Sequence, residues 1–402
     1  MISPPMRCLP LLALAALAAC ADAPAGPASA GSDGLPDAAD AAGLALASTP
    51  AGDVVAWVDS TRRLVVRPAD ASEAVVVSTE AVSAHTQAAP RLAISSDGSV
   101  VVAYVVEQVV SGRRFPASEL RVARSDDGGR TFAEAVRPHP DPGFPSGHTF
   151  HSLAAGPDGA LYVAWLDGTA KDRYRTEQTS AHPEADAHAA HAADPAEPGT
   201  QLVVARSTDG GRTFEAPVVV ADGTCQCCRT DIHVADDGSV YVAWRHIFAG
   251  GERDMALARS DDRGATFGKP TVVHADGWAI EACPHAGPAV TTDAEGTVHV
   301  AWSTGLPERT GLWHAASTDR GATFGEPSPL AAPAPLGQVR AVRGEDGRAL
   351  LAFEDRGVIG LVTVGTSDTL RVDGTEADLA VGPDGWHLLW RDGDRVRLRT
   401  PS

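Results

Sequence analysis

Four copies of one eight-residue pattern, S-x-D-x-G-x-T-F, set the strongest limit on how this chain can fold. They occupy 125–132 (SDDGGRTF), 207–214 (STDGGRTF), 260–267 (SDDRGATF) and 317–324 (STDRGATF). Self-similarity of this kind marks a repeat architecture in which each copy belongs to one supersecondary unit. The residue types describe a tight hairpin. The Ser and Asp side chains accept from nearby backbone N–H groups, a Gly supplies positive φ, and the Phe re-enters the following strand. Asp127, Asp209, Asp262 and Asp319 therefore belong to turns and are not general acids.

A second repeat precedes each box. An apolar stretch, a D-G or E-G turn and an alternating strand ending in Ala-Trp run from Leu153 to Trp165, Ile232 to Trp244 and Val290 to Trp302. Weaker copies end at Trp57, Tyr104, Phe353 and Trp390. Such a turn between alternating apolar runs signals a hairpin. Each unit thus reads as strand, turn, strand, variable loop, strand, box, strand, which is a four-stranded propeller blade. Starts fall near Leu44, Arg91, Ser152, Asp231, Ala289, Arg340 and Asp378, the last with room for only two or three strands. The expected fold is all-β, a β-propeller of seven blades, or six if the terminal units combine. The boxes resemble the Asp box, or BNR repeat, of the sialidase-like propellers, and the resemblance extends over residues 43–402.

Composition agrees with this reading: 40 Gly and 29 Pro suit a turn-rich chain, while 3 Met and 9 Phe are few for a helical core. With 33 basic against 52 acidic residues and a net charge of -19, no basic cluster stands outside the N-terminal segment. Nucleic acid is therefore excluded as an expected partner, as is direct recognition of an anionic membrane surface.

Arg7 is followed by an apolar run from Leu9 to Ala19, too short to span a bilayer and of the length of a signal-peptide core. It ends in Leu17-Ala18-Ala19-Cys20, which resembles the lipobox of bacterial lipoproteins. That resemblance implies a signal peptide over 1–19, lipidation of Cys20, and a lipid anchor as the membrane contact. The expected location is the bacterial cell envelope, at the outer membrane or facing the periplasm. Residues 20–42 are mostly Ala, Gly, Pro, Ser and Asp and read as a flexible tether, with the folded body over 43–402.

In a propeller the loops before the first strand and after the second strand of each blade share the face opposite the boxes, here called the top. Those loops hold the chemically distinctive residues: His148 and His151 in GHTFH, Cys225, Cys227 and Cys228 in CQCCR, and Cys283 and His285 in CPH. Aligning the blades on their turns puts His148, Cys227 and His285 at equivalent positions, so three adjacent loops aim ligands at one region. Thiolate with imidazole suits Cu or Zn. His182, His188 and His191, in an insertion of the third blade, form a tract suited to collecting or delivering metal, which makes a metal-handling protein one expected partner and a glycan another. In an oxidising compartment the four cysteines outside the N-terminal segment would equally suit two disulfides, and both readings stand at this point. His274, His299, His314 and His387 read as framework.

The resemblance to sialidases implies a different site: three arginines on a substrate carboxylate, a tyrosine nucleophile assisted by a glutamate, and an aspartate acid/base. The matching residues are Arg91, Arg229 and Arg340, with Arg245 also on the top face, and Tyr174 with Glu177 in the third-blade insertion. The family's Arg-Ile-Pro motif is absent, and Pro90-Arg91-Leu92 offers only a substitute; Tyr104, Tyr162 and Tyr241 fall inside strands. The leading expectation is a lipid-anchored envelope propeller whose top face binds Cu or Zn. An exo-sialidase or related glycan hydrolase, and a non-catalytic glycan- or protein-binding module, are the alternatives.

Overall fold

Strands that are apolar on both sides need cover on both sides, and stacked blades provide it. In the second strand of blade 4, Val240–Arg245, every residue is buried. The computed structural model describes residues 35–111, 116–181 and 197–401. Cys20 and its surrounding signal, and His182, His188 and His191, lie outside the described residues.

Seven antiparallel sheets form among the described residues, five of four strands and two of three. Their inner strands are Ala41–Thr49, Arg91–Ile94, His148–Ala155, Asp231–Val234, Ala289–Thr292, Val339–Arg343 and Thr375–Gly382. Each inner strand packs on that of the next blade, and the last packs on the first, so the ring closes at seven blades, not six. Trp165, Trp244 and Trp302 lie near the ends of second strands and are buried between sheets. Tyr104, Tyr162 and Tyr241 lie within second strands as framework. The blade faces supply the core, and the long loops supply the surface.

In blades 3 to 5 the boxes are turns between third and fourth strands, and in blade 2 the box follows the third strand. In the third of them, Thr266 donates to Asp262 through its backbone N–H (2.8 Å) and its hydroxyl (2.6 Å). Ser260 Oγ accepts from Gly264 N–H at 2.7 Å. The Thr266 hydroxyl above all, with the Thr266 N–H and Ser260, holds the Asp262 carboxyl at about 2. Asp127, Asp209 and Asp319 make the same contacts with Thr131, Thr213 and Thr323. A carboxylate so committed is a structural acceptor. Gly264 sits at φ +82°, and a Cβ there would stand 2.8 Å from the Tyr162 ring, so the box also seats one blade on its neighbour.

Blade 7 has three strands of its own, Thr375–Gly382, Gly385–Asp392 and Arg395–Arg399. The N-terminal segment completes its edge. Asp37 bridges to Arg395, Ala38 N–H donates to Asp394 O at 2.9 Å, and the Arg391 guanidinium donates to the carbonyls of Ala38 and Ala41. The folded body thus already includes residues ahead of Gly43. Residues 35–42, expected as tether, latch the last blade to the first because Ala38 and Ala41 bury their methyl groups against it.

At the same seam His387 stands between Asp53 (2.8 Å) and Asp384 (2.7 Å). The hydrogen bond to Asp53 is the main cause that raises the pKa of His387 above its ordinary value of 6.5. A raised histidine stabilises the fold fully below its unfolded pKa and loses that contribution as pH rises through the folded one. His387→Gln is expected to lower stability at pH 5.5 and to do so progressively less toward pH 9, read as the difference in urea midpoint from the unaltered protein. A gap independent of pH would contradict the assignment.

Candidate functional site

The loop Cys225-Gln226-Cys227-Cys228 leads into the inner strand of blade 4. Backbone bonds hold both of its ends: Cys225 N–H donates to Arg245 O at 2.9 Å and Thr230 N–H to Phe150 O at 3.1 Å. A chain pinned so closely on either side of a tight turn must fold its side chains into one space. The three sulfurs accordingly meet. Cys225 Sγ lies 3.6 Å from both Cys227 Sγ and Cys228 Sγ, and all three sulfurs lie within 4.8 Å of one another. They are 1%, 5% and 2% exposed, packed under Phe150 and Ile247. None of the four described cysteines is in a disulfide.

Arg253 Nη1 lies 3.4 Å from Cys225 Sγ and donates to Ala282 O at 2.8 Å, which ties the trio to the neighbouring loop of blade 5. Donation from the Cys227 and Cys228 thiols, aided by the Arg253 charge, lowers the Cys225 pKa far below the ordinary thiol value. The donors move the other way: Cys227 is raised by its bond to Cys225, and burial first pushes Cys228 up to about 11. Three thiols gathered in one buried space form a donor set from which a soft cation would displace protons.

Of the seven ligands expected from the sequence, only these three converge. His148 Nδ1 donates to Ser118 O (3.2 Å), and its Nε2 lies 3.1 Å from Thr169 Oγ1 and 3.5 Å from Asp167. His151 is fully buried with Nε2 3.0 Å from Ala103 O. Cys283 is exposed, and His285, at φ +50°, packs against His85 with ring centroids 5.3 Å apart. Aligning blades on their turns misplaces these residues because the inner strands are irregular. A register shift between Thr149 and Ser152, with Phe150 at φ +54°, brings Phe150 over the trio and leaves His148 beside blade 2. His274, His299, His314 and His387 are tied to framework partners, as expected.

Arg91, Arg229 and Arg340 meet at the axis of the ring with Asp231 and Asp378. Arg340 Nε bonds Asp378 at 2.8 Å, Arg91 Nη1 lies 3.8 Å from the same carboxylate, and Arg229, 1% exposed, donates to Val339 O. Burial, then the Arg340 charge, brings Arg91 down to about 10. Arg245 is a staple, donating to the carbonyls of Ala286, Arg253 and Ser303. Tyr174 and Glu177 lie on the helix Thr169–Ala181, α1, and border a cavity of 420 Å³ that Arg173 lines but Arg91, Arg229, Arg245 and Arg340 do not. The expected nucleophile pair and the arginine cluster are not assembled into one site.

Residues 187–368 match the family model of a BNR repeat-like domain. No curated protein sequence matches this chain. Among solved structures, the propeller resembles a protein of unknown function from Dyadobacter fermentans, 19% identical, with 77% of this chain and 92% of that one aligned and a TM-score of 0.53. An ulvan lyase, described as a new family of polysaccharide lyase, aligns over 91% and 93% at 12% identity and TM-score 0.54. The Hadza microbial sialidase Hz136 aligns over 88% and 74% at 16% identity and TM-score 0.50. At such identities the likeness is one of fold.

Sequence reasoning missed His85, His139 and Arg253. His139 lies in the run Pro138-His139-Pro140-Asp141-Pro142, with no counterpart in other blades, and Arg253 is separated from Cys225 by a whole hairpin. Nothing in a single sequence flags either. For the axial cluster, Asp378→Ala is expected to cost about 3 kcal/mol, since it strands Arg91 and Arg340 without their carboxylate. Urea unfolding tests this, and a loss below roughly 0.5 kcal/mol would show that solvent already screens the arginines.

Proposed function

We propose that the protein binds a soft metal ion on the top face of its propeller, through Cys225, Cys227 and Cys228, and that the ion is Cu(I). The observation that carries this reading is the meeting of three buried sulfurs within 4.8 Å. Three thiolates about 2.3 Å from one ion stand roughly 3.8–4.0 Å apart, so the 3.6 Å separations from Cys225 need only a small expansion. Among the described residues no His, Asp, Glu or fourth Cys joins the group. Zinc is almost always held by four ligands or by three and a water, whereas burial of the trio leaves a site of three soft donors, which suits Cu(I). Arg253 offsets part of the negative charge that three thiolates around a monovalent ion would leave.

The proposal extends to place: with lipidation at Cys20, the protein would be a tethered component of the bacterial envelope and its partner a metal-handling protein. The alternative, a glycan-acting hydrolase, draws on the arginines at the axis and on the fold shared with the sialidase and the ulvan lyase. It lacks an assembled nucleophile, since Tyr174 and Glu177 border a different cavity.

Anaerobic titration of the reduced protein with Cu(I) against a chromogenic Cu(I) chelator provides the test. One ion per chain is expected, with Cys227→Ala at least 100-fold weaker and Cys283→Ser unchanged. Failure to take up any metal would overturn the proposal; preferential Zn(II) binding that requires Cys283 would overturn the choice of ion.

A further inference from the structure

The sulfurs that would hold a metal are also placed to close on one another. Cys228 N–H donates to Cys225 O at 3.4 Å, so residues 225–228 form a four-residue turn with Gln226 and Cys227 at its centre. A turn of this kind keeps its first and last Cα atoms within about 7 Å, and a disulfide spans Cα atoms about 4.4–6.8 Å apart. Cys225 Sγ and Cys228 Sγ already stand 3.6 Å apart, both as free thiols. Bond formation therefore asks for side-chain rotation and no rebuilding of the backbone.

The turn also selects the pair. Cys227 Sγ lies equally near Cys225 Sγ, but a bond between those two would force the planar peptide units on either side of Gln226 into a smaller ring. Cys227 and Cys228 are neighbours in the chain, and a bond between them would strain the single peptide that joins them. Cys283 is exposed and stands outside the group of three sulfurs. Cys225 and Cys228, at the two ends of the turn, are the pair that remains.

Of these two, Cys225 is the one set up to react first. The Arg253 guanidinium lies 3.4 Å from its sulfur, and a cation beside a thiol favours the thiolate, which is the nucleophile. Phe150 and Ile247 cover the trio and keep bulky oxidants off it. An opening wide enough for an incoming metal ion and its ligands also admits hydrogen peroxide.

We propose that Cys225 and Cys228 form a reversible disulfide in response to peroxide, leaving Cys227 as a thiol. The Cys225 thiolate attacks one peroxide oxygen, the O–O bond breaks, hydroxide leaves and Cys225 becomes a sulfenic acid. The Cys228 sulfur then attacks Cys225 Sγ, gives up its proton and displaces the sulfenic oxygen as water. The two thiols supply two electrons and two protons, and the peroxide ends as two waters. The consequence for the metal rests on the function proposed above: with two sulfurs bonded to each other one soft donor remains, so oxidation releases the ion. The disulfide itself does not depend on that reading.

The test treats the full chain, reduced and free of metal, with hydrogen peroxide under nitrogen. Free thiols are then alkylated, and the tryptic peptide 213–229, which holds the whole trio, is sequenced by mass spectrometry. The expected result is a link between Cys225 and Cys228, alkyl groups on Cys227 and Cys283, and return of both thiols with dithiothreitol. Cys227→Ser is expected to form the same link and Cys228→Ser to form none; mapping of the unaltered protein decides the matter where a variant does not fold. One equivalent of Cu(I) is expected to slow the link at least tenfold, whereas a link that forms equally fast with and without Cu(I) would uphold the disulfide and count against the metal reading. Persistence of all the thiols, oxidation of Cys225 to a sulfinic acid without a link, or a link through Cys227, Cys283 or a second chain would overturn the proposal.

Discussion

Closure of the ring is the constraint on which the rest of this structure depends. An inner strand has a blade on each side, so an open propeller would expose two sheet faces that are apolar throughout. The chain closes with parts of unequal origin: three strands from its C-terminal end and a short N-terminal stretch, Leu35 to Asp40, laid along their edge. His387, between Asp53 and Asp384, bridges first and last blades by charge where the backbone does not run through. The four boxes act at the opposite face, where each Asp satisfies the donors of its own turn and the Gly of the third lets it lie against Tyr162. With both held, the ring can present long irregular loops on its top face without those loops contributing much to stability.

That division explains where the chemistry collects. At the axis, the inner-strand starts of several blades bring Arg91, Arg229 and Arg340 together with Asp231 and Asp378, charges that are largely spent on one another and on carbonyls. Off the axis, a loop pinned to Arg245 and Phe150 gathers three thiols. Farther out, a proline-rich loop lays His139 on His148 and leaves one imidazole nitrogen unpartnered. The three clusters differ in kind: compensated charge, soft donors, and a stacked pair of imidazoles.

Much of the architecture was legible because it is repeated. The box sequences and the Ala-Trp strand ends located inner-strand starts such as Arg91, Asp231, Ala289 and Asp378 to within a few residues. The site was legible only where it is local. Cys225, Cys227 and Cys228 are close in sequence, and any tight turn brings them together. The expected contributions of His148, Cys283 and His285 assumed that blades superpose residue for residue, and the register shift after Thr149 and the positive φ at His285 break that assumption. The part of residues 35–42 in the fold was hidden for a related reason: Ala38 and Ala41 are too small to look like core, yet both are buried against the last blade. Arg253 and His139 reach their places through the fold alone.

The central claim is that the buried cysteine trio is a three-coordinate soft-metal site. Copper K-edge X-ray absorption of the protein loaded with one equivalent of Cu(I) tests it most directly. The account predicts an edge typical of Cu(I) and a single shell of three sulfurs at about 2.2–2.3 Å, lost in Cys227→Ala. A shell containing nitrogen or oxygen, or two sulfurs only, would contradict it.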